Sequence, residues 1–225
     1  MSLLLLLLCA CGGPASAPPT PTPAPPAAAP AATQPAAASV RVVFLGDSLT
    51  AGLGLGAEDA YPAQLARAWQ AEGLPVEVVN AGVSGDTTAG GLRRVDWILG
   101  QKPDVVVVAL GANDMLRGLA TTEAEANLRA ILTRCRSAGA DPVLLGMRAN
   151  PTLGPDYARD FDAIYPTLAR ELGIPLVPFL LAGVAGDPSL NQADGVHPTA
   201  AGQARLAALV GEVVAPVVRA RMAKP

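Results

Sequence analysis

The 225-residue chain holds a single histidine, His197, and only three cysteines, two of which crowd together at Cys9 and Cys11. Any step that needs an imidazole therefore has one candidate. Cys135 is alone in the body of the chain, so no intramolecular disulfide can form there and packing must hold the fold. Charge is sparse: 16 Lys and Arg stand against 19 Asp and Glu, and no basic stripe occurs, which argues against nucleic acid as a partner. Aromatic residues make up 4% of the chain, little material for stacking against sugar rings.

Residues 1–40 carry no charge and no aromatic ring. The leucine run Leu3–Leu8 is far shorter than the about 20 residues of a bilayer-spanning helix, but suits the apolar part of an export signal. Leu8-Cys9-Ala10-Cys11 resembles a bacterial lipobox, which makes 1–11 a signal peptide and Cys11 the candidate lipid site. Cys9 fits less well, because bulky Leu8 stands where a small residue is expected. The n-region has no Lys or Arg, which leaves open a start further upstream, and a cleaved N-terminus without lipid is the alternative. Residues 12–38 hold nine prolines among Ala and Thr, too many fixed φ angles and missing donors for a helix or sheet. They read as an extended, disordered tether reaching up to roughly 80 Å. An exported protein follows from this reading: a periplasmic or cell-envelope lipoprotein tethered to a membrane, or a secreted one.

The remainder, 39–225, suits one domain with one core. Apolar runs at Val40–Leu45, Val76–Val79, Val105–Leu110 and Val143–Met147 are continuous rather than alternating, as in parallel strands covered on both faces. Pro175–Phe179 is a fifth, whose prolines place it at an edge. Between them lie helical rows: Tyr61, Leu65 and Trp69; Leu128, Ile131, Leu132 and Cys135; Phe161, Ile164, Tyr165 and Leu168. A last helix, about 199–218, carries Leu206, Leu209, Val210 and Val213. Alternating strands and helices predict an α/β fold, a three-layer α/β/α sandwich around a parallel sheet. Ligands of such sheets bind beyond the carboxyl ends of the strands.

Four segments should meet at that edge. Gly46-Asp47-Ser48 follows the first strand, and Ser48 is either a turn or cap residue or a nucleophile. Asp194-Gly195-Val196-His197 precedes the last helix; a carboxylate at Asp194 can hold Nδ1 of His197 and leave Nε2 for the serine proton. Gly85, in the loop after the second strand, is either a turn glycine or a bare amide presented to an oxyanion. Asn113, after the third strand, is either an Asx-turn residue or a side-chain donor to that oxyanion. The amide of Ser48 itself opens a helix and is a further donor. Asp47 and Asp114 read as braces for their loops.

The blocks "GDSLTAG", "NAGVSGDTT", "GANDMLRG" and "DGVHPTAAG", in this order over residues 41–218, resemble the SGNH (GDSL) hydrolase superfamily, above all its thioesterase I/lysophospholipase branch. One departure from the α/β-hydrolase elbow is plain: Thr50 stands where Gly-x-Ser-x-Gly needs its second glycine. The resemblance implies a flavodoxin-like five-stranded sheet, no metal or cofactor, and hydrolysis of esters or thioesters through an acyl-enzyme. It also implies Ser48, Asp194 and His197 as catalytic residues, with Gly85 and Asn113 in the oxyanion hole. Small-molecule ester or lipid substrates follow, with short- to medium-chain acyl or aryl esters favoured. Met115, Leu116, Leu119, Pro151 and Leu153 are candidates for the groove wall, and Gly52, Gly54 and Gly56 either loosen its entrance or form turns. Two other functions stay open at this point: a carbohydrate O-deacetylase, and a flavodoxin-like binding module without catalysis.

Overall fold

A computed structural model describes residues 39–223; the signal, lipid-site and tether expectations for 1–38 lie outside the described residues. Among these, five strands build one parallel sheet: β1 (Val40–Gly46), β2 (Val76–Gly82), β3 (Val105–Ala109), β4 (Asp141–Leu145) and β5 (Leu176–Val177). Their order, β2-β1-β3-β4-β5, is flavodoxin-like. β1 and β3 are central, and Val42–Leu45 and Val105–Val108 are wholly buried, which is why these runs show no polar alternation. β2 lies at one edge and is only half-buried, so Glu77 can face solvent there.

Among the described residues seven α-helices complete the layers: α1 (Ser48–Ala51), α2 (Tyr61–Ala71), α3 (Thr88–Gly100), α4 (Ala112–Leu116), α5 (Thr121–Ser137), α6 (Pro155–Leu172) and α7 (Ala200–Met222). α3 packs on α5 and α5 on α6, while α2 packs on α7. The rows read from the sequence are the buried faces: Tyr61, Leu65 and Trp69 of α2; Leu128, Ile131, Leu132 and Cys135 of α5; Phe161, Ile164, Tyr165 and Leu168 of α6. Each such side chain removed from water contributes roughly 1.5–3 kcal/mol. α7 is long and apolar enough to cross a membrane, yet Leu206, Val210, Val214 and Val218 face the core. Local chemistry sets the ends. Thr87 caps α3 and Thr199 caps α7 by accepting from the amides of Gly90 and Gly202, and Pro155 opens α6.

Two strands differ from the sequence reading. β4 starts and stops two residues earlier than expected, so Met147 lies beyond the strand in the loop that follows. β5 shrinks from five residues to Leu176–Val177, because Pro175 and Pro178, which lack the amide hydrogen a ladder needs, bound it on both sides. The register puts Gly46 of β1 beside Gly82 of β2 and Ala109 of β3. Three strands thus end level, and their loops leave from one edge.

Candidate active site

The chain turns sharply after Gly46, and Asp47 takes the cap of α1: its Oδ1 accepts from the Leu49 amide at 3.0 Å. Capping thus falls to Asp47, and the hydroxyl of Ser48 is left for another partner. α1 is held from three sides. Gln203 of α7, 1% exposed, donates to Leu49 O at 3.0 Å and accepts from the Tyr61 amide at 2.8 Å. Asn80 of β2 donates to Thr50 O at 2.8 Å, and the hydroxyls of Thr50 and Tyr61 meet at 2.9 Å.

His197 arrives from the segment before α7, with Nε2 2.9 Å from Ser48 Oγ. Its Nδ1 lies 2.7 Å from Asp194 Oδ2, while Asp194 Oδ1 accepts from the amides of Val196 and His197 at 2.9 and 3.0 Å. The left-handed Gly195 (φ 68°) folds the loop back so that one carboxylate takes all three bonds. The bond to the His197 ring, followed by the two amides, holds the Asp194 carboxyl well below the usual carboxylate range. An ionised Asp194 keeps the hydrogen on Nδ1 and the lone pair on Nε2, facing the hydroxyl.

The other predicted residues converge on the same point. Gly85 (φ 80°) is the third residue of a turn closed by Asp86 N donating to Val83 O at 3.0 Å, and its own N–H donates to no group among the described residues. The amide of Ser48 is likewise without an internal acceptor among the described residues. Asn113, in α4, donates from Nδ2 to Asp86 O at 2.9 Å, which orients the amide plane; its second hydrogen meets only Asp47 Oδ2, at 3.5 Å. Ser48, Gly85 and Asn113 line one cleft, and their three donors have capacity to spare, the requirement for holding an oxyanion. Asp114 turns away: its two oxygens accept from the amide and hydroxyl of Thr88 at 2.8 and 2.6 Å, bracing the start of α3. Burial pushes the Asp47 carboxyl up to about 6, against the pull of the Leu49 amide and of nearby His197.

Ser48, Gly85, Asn113 and His197 open into a cleft of about 760 Å³. Met115, Leu116 and Pro151 line it as read from the sequence; Leu119 and Leu153 do not. Leu119 lies outside, its carbonyl accepting from the Tyr157 hydroxyl at 3.0 Å, and Leu153 packs against the core instead. Much of the wall comes from Met147, at the head of the loop after β4, and from Phe179 and Leu181, which the sequence did not single out. Phe179 ended a run read as strand, so its role as wall shows only once β5 stops at Val177. Gly52 and Gly54 (φ 75° and 82°) are turn positions, the first closing α1.

Fold and site together define an acyl-transfer enzyme, and the relatives agree. The chain belongs to the GDSL-like Lipase/Acylhydrolase family, whose model matches residues 44–205. It is 42% identical over 187 residues to Esterase TesA of Pseudomonas aeruginosa, covering 83% of this chain and 92% of the relative. Over 184 residues it is 41% identical to Thioesterase 1/protease 1/lysophospholipase L1 of Escherichia coli, covering 81% and 87%. A crystal structure of TesA superposes with a TM-score of 0.76 at 40% identity, covering 79% of this chain and 99% of that one. This bears out the ester-hydrolysing enzyme and its three-layer fold, and leaves the non-catalytic binding module without support.

Proposed function

We propose that this enzyme cleaves carboxylic esters through an acyl-enzyme on Ser48. Ser48 Oγ attacks the acyl carbon as His197 Nε2 takes its proton, and Asp194 holds the resulting imidazolium. The oxyanion receives hydrogen bonds from the amides of Ser48 and Gly85 and from Asn113 Nδ2, each worth roughly 2.7–4 kcal/mol of barrier by removal. His197 then protonates the leaving alcohol or thiol, and water repeats the cycle to free the acid. The observation that carries this reading is the 2.9 Å approach of the only histidine to Ser48 Oγ. Ser48→Ala should abolish turnover of p-nitrophenyl butyrate and labelling by a fluorophosphonate probe. Unimpaired turnover would remove the proposal.

The apolar wall of Met115, Leu116, Met147, Phe179 and Leu181 supports short- to medium-chain acyl or aryl esters as substrates. Acyl thioesters and lysophospholipids belong to the same range, a reading supported by the name of the Escherichia coli relative. A series of p-nitrophenyl esters from acetate to palmitate, run beside an acetylated glycan, tests this. Activity on the glycan alone would favour a carbohydrate O-deacetylase instead. We also propose that 1–11 directs export, that Cys11 carries lipid and that 12–38 tethers the domain 39–225. Metabolic labelling with a fatty acid, lost in Cys11→Ala, is the expected result.

A further inference from the structure

We propose that Arg94 is a positioning residue for the oxyanion site, an inference that rests on the mechanism above. Arg94 lies in α3, outside the cleft, yet its guanidinium bonds to the ends of β1 and β2 and to the loop of Gly85, the segments that lead into the oxyanion donors. Nη2 donates to Gly46 O at 2.9 Å, two residues before Ser48. Nη1 donates to Ala81 O at 2.7 Å, the last residue but one of β2, before the loop of Gly85. Nε donates to Asp86 Oδ2 at 2.7 Å, and Asp86 is both the neighbour of Gly85 and the residue whose carbonyl orients Asn113. One planar fork therefore ties together the supports of Ser48 N, Gly85 N and Asn113 Nδ2.

The surroundings are built for this contact. The Arg94 and Asp86 side chains are 21% and 11% exposed, so solvent weakens the pair little. Gly90, one turn before Arg94, leaves the room: a Cβ there would overlap Asp86 Oδ1. Gly82, at the end of β2, serves a different neighbour: a Cβ there would overlap the backbone of Ala51, at the end of α1. Lysine cannot replace the fork, because a single ammonium lacks the fixed planar set of donors that spans three acceptors. Loss of Arg94 frees the loops after β1 and β2 to drift apart, and a displacement on the order of 1 Å at a reacting centre costs up to about 100-fold in rate.

The test compares Arg94→Ala and Arg94→Lys with wild type on p-nitrophenyl butyrate, with fluorophosphonate labelling of Ser48 followed in parallel. Both variants should lose about 10- to 100-fold in kcat with KM held within about twofold, the split expected when only transition-state contacts are lost. Added guanidinium should restore part of the kcat of Arg94→Ala. Arg134→Ala removes a different ion pair of α3, to Asp96 at 3.0 Å, and should leave kcat unchanged. A folded Arg94→Ala with near-wild-type kcat overturns the proposal, as does a rise in KM at constant kcat. So does guanidinium that raises Tm without raising kcat. Should Arg94→Ala not fold, Asp86→Asn keeps the carbonyl for Asn113 while weakening the ion pair, and must still lower kcat. Wild-type enzyme that resists fluorophosphonate, or full activity in Ser48→Ala, marks failure of the underlying mechanism rather than of Arg94's role.

Discussion

Asp47 is a carboxylate placed where burial opposes its charge, and Asp47→Asn should expose the cost. The group is 2% exposed, and burial raises it from an ordinary value of 3.8 to about 6. Below about pH 4 both folded and unfolded chains are protonated there, and the site contributes nothing. Between about 4 and 6 the unfolded chain ionises while the folded one keeps its proton, so stability falls as pH rises. Above about 6 the penalty is complete; about two units at 1.36 kcal/mol each make roughly 3 kcal/mol. Asparagine keeps an oxygen for the Leu49 amide but faces Asn113 with a second NH₂ group, a cost that does not vary with pH. The quantity to measure is therefore the difference between variant and wild type in urea unfolding at pH 8, compared with the same difference at pH 4. It should favour the variant by about 3 kcal/mol more at pH 8. Equal differences at the two pH values would refute the reasoning. Activity should move the other way, because the variant removes a negative charge near the His197 imidazolium; stability rises where function falls.

Asn113→Ala should lower kcat by about 10²- to 10³-fold with little change in KM, since the amide acts on charge that develops only in the transition state. Steady-state kinetics showing a loss of less than about tenfold would strike Asn113 from the oxyanion hole. Gly111→Ala should cost roughly 2–4 kcal/mol, from a left-handed backbone and an overlap with the Tyr165 hydroxyl. Gly111 has φ 117°, and the Tyr165 hydroxyl donates to Leu110 O at 3.0 Å. An unchanged Tm would contradict that account.

Much was legible without coordinates because it depends on short-range chemistry. Val105–Val108 could be read as a doubly covered strand, and Leu128, Ile131, Leu132 and Cys135 as one buried stripe, because each follows the period of its own element. The edge position of β5 was legible from its prolines; its length was misread as five residues because Pro175 and Pro178 were not weighed as the ends of the ladder. Among the predicted site residues, Ser48, Gly85, Asn113, Asp194 and His197 each sit at a strand end or a helix start that the sequence marks locally. The groove was read less well. Leu119 and Leu153 had the right polarity and fell outside it, whereas Met147, Phe179 and Leu181 line it.

The division has a physical basis. Side-chain pattern along the chain dictates which segments pair into a sheet and which serine, histidine and carboxylate stand at its carboxyl edge. Nothing local records that Arg94, in the middle of a helix, reaches Gly46, Ala81 and Asp86. Nor does anything local record that Asp47 rather than Ser48 caps α1, or that its carboxyl is cut off from water. Those facts arise when α3, β1, β2 and α4 close on one another, because burial and hydrogen-bond geometry belong to the neighbours a residue acquires in space.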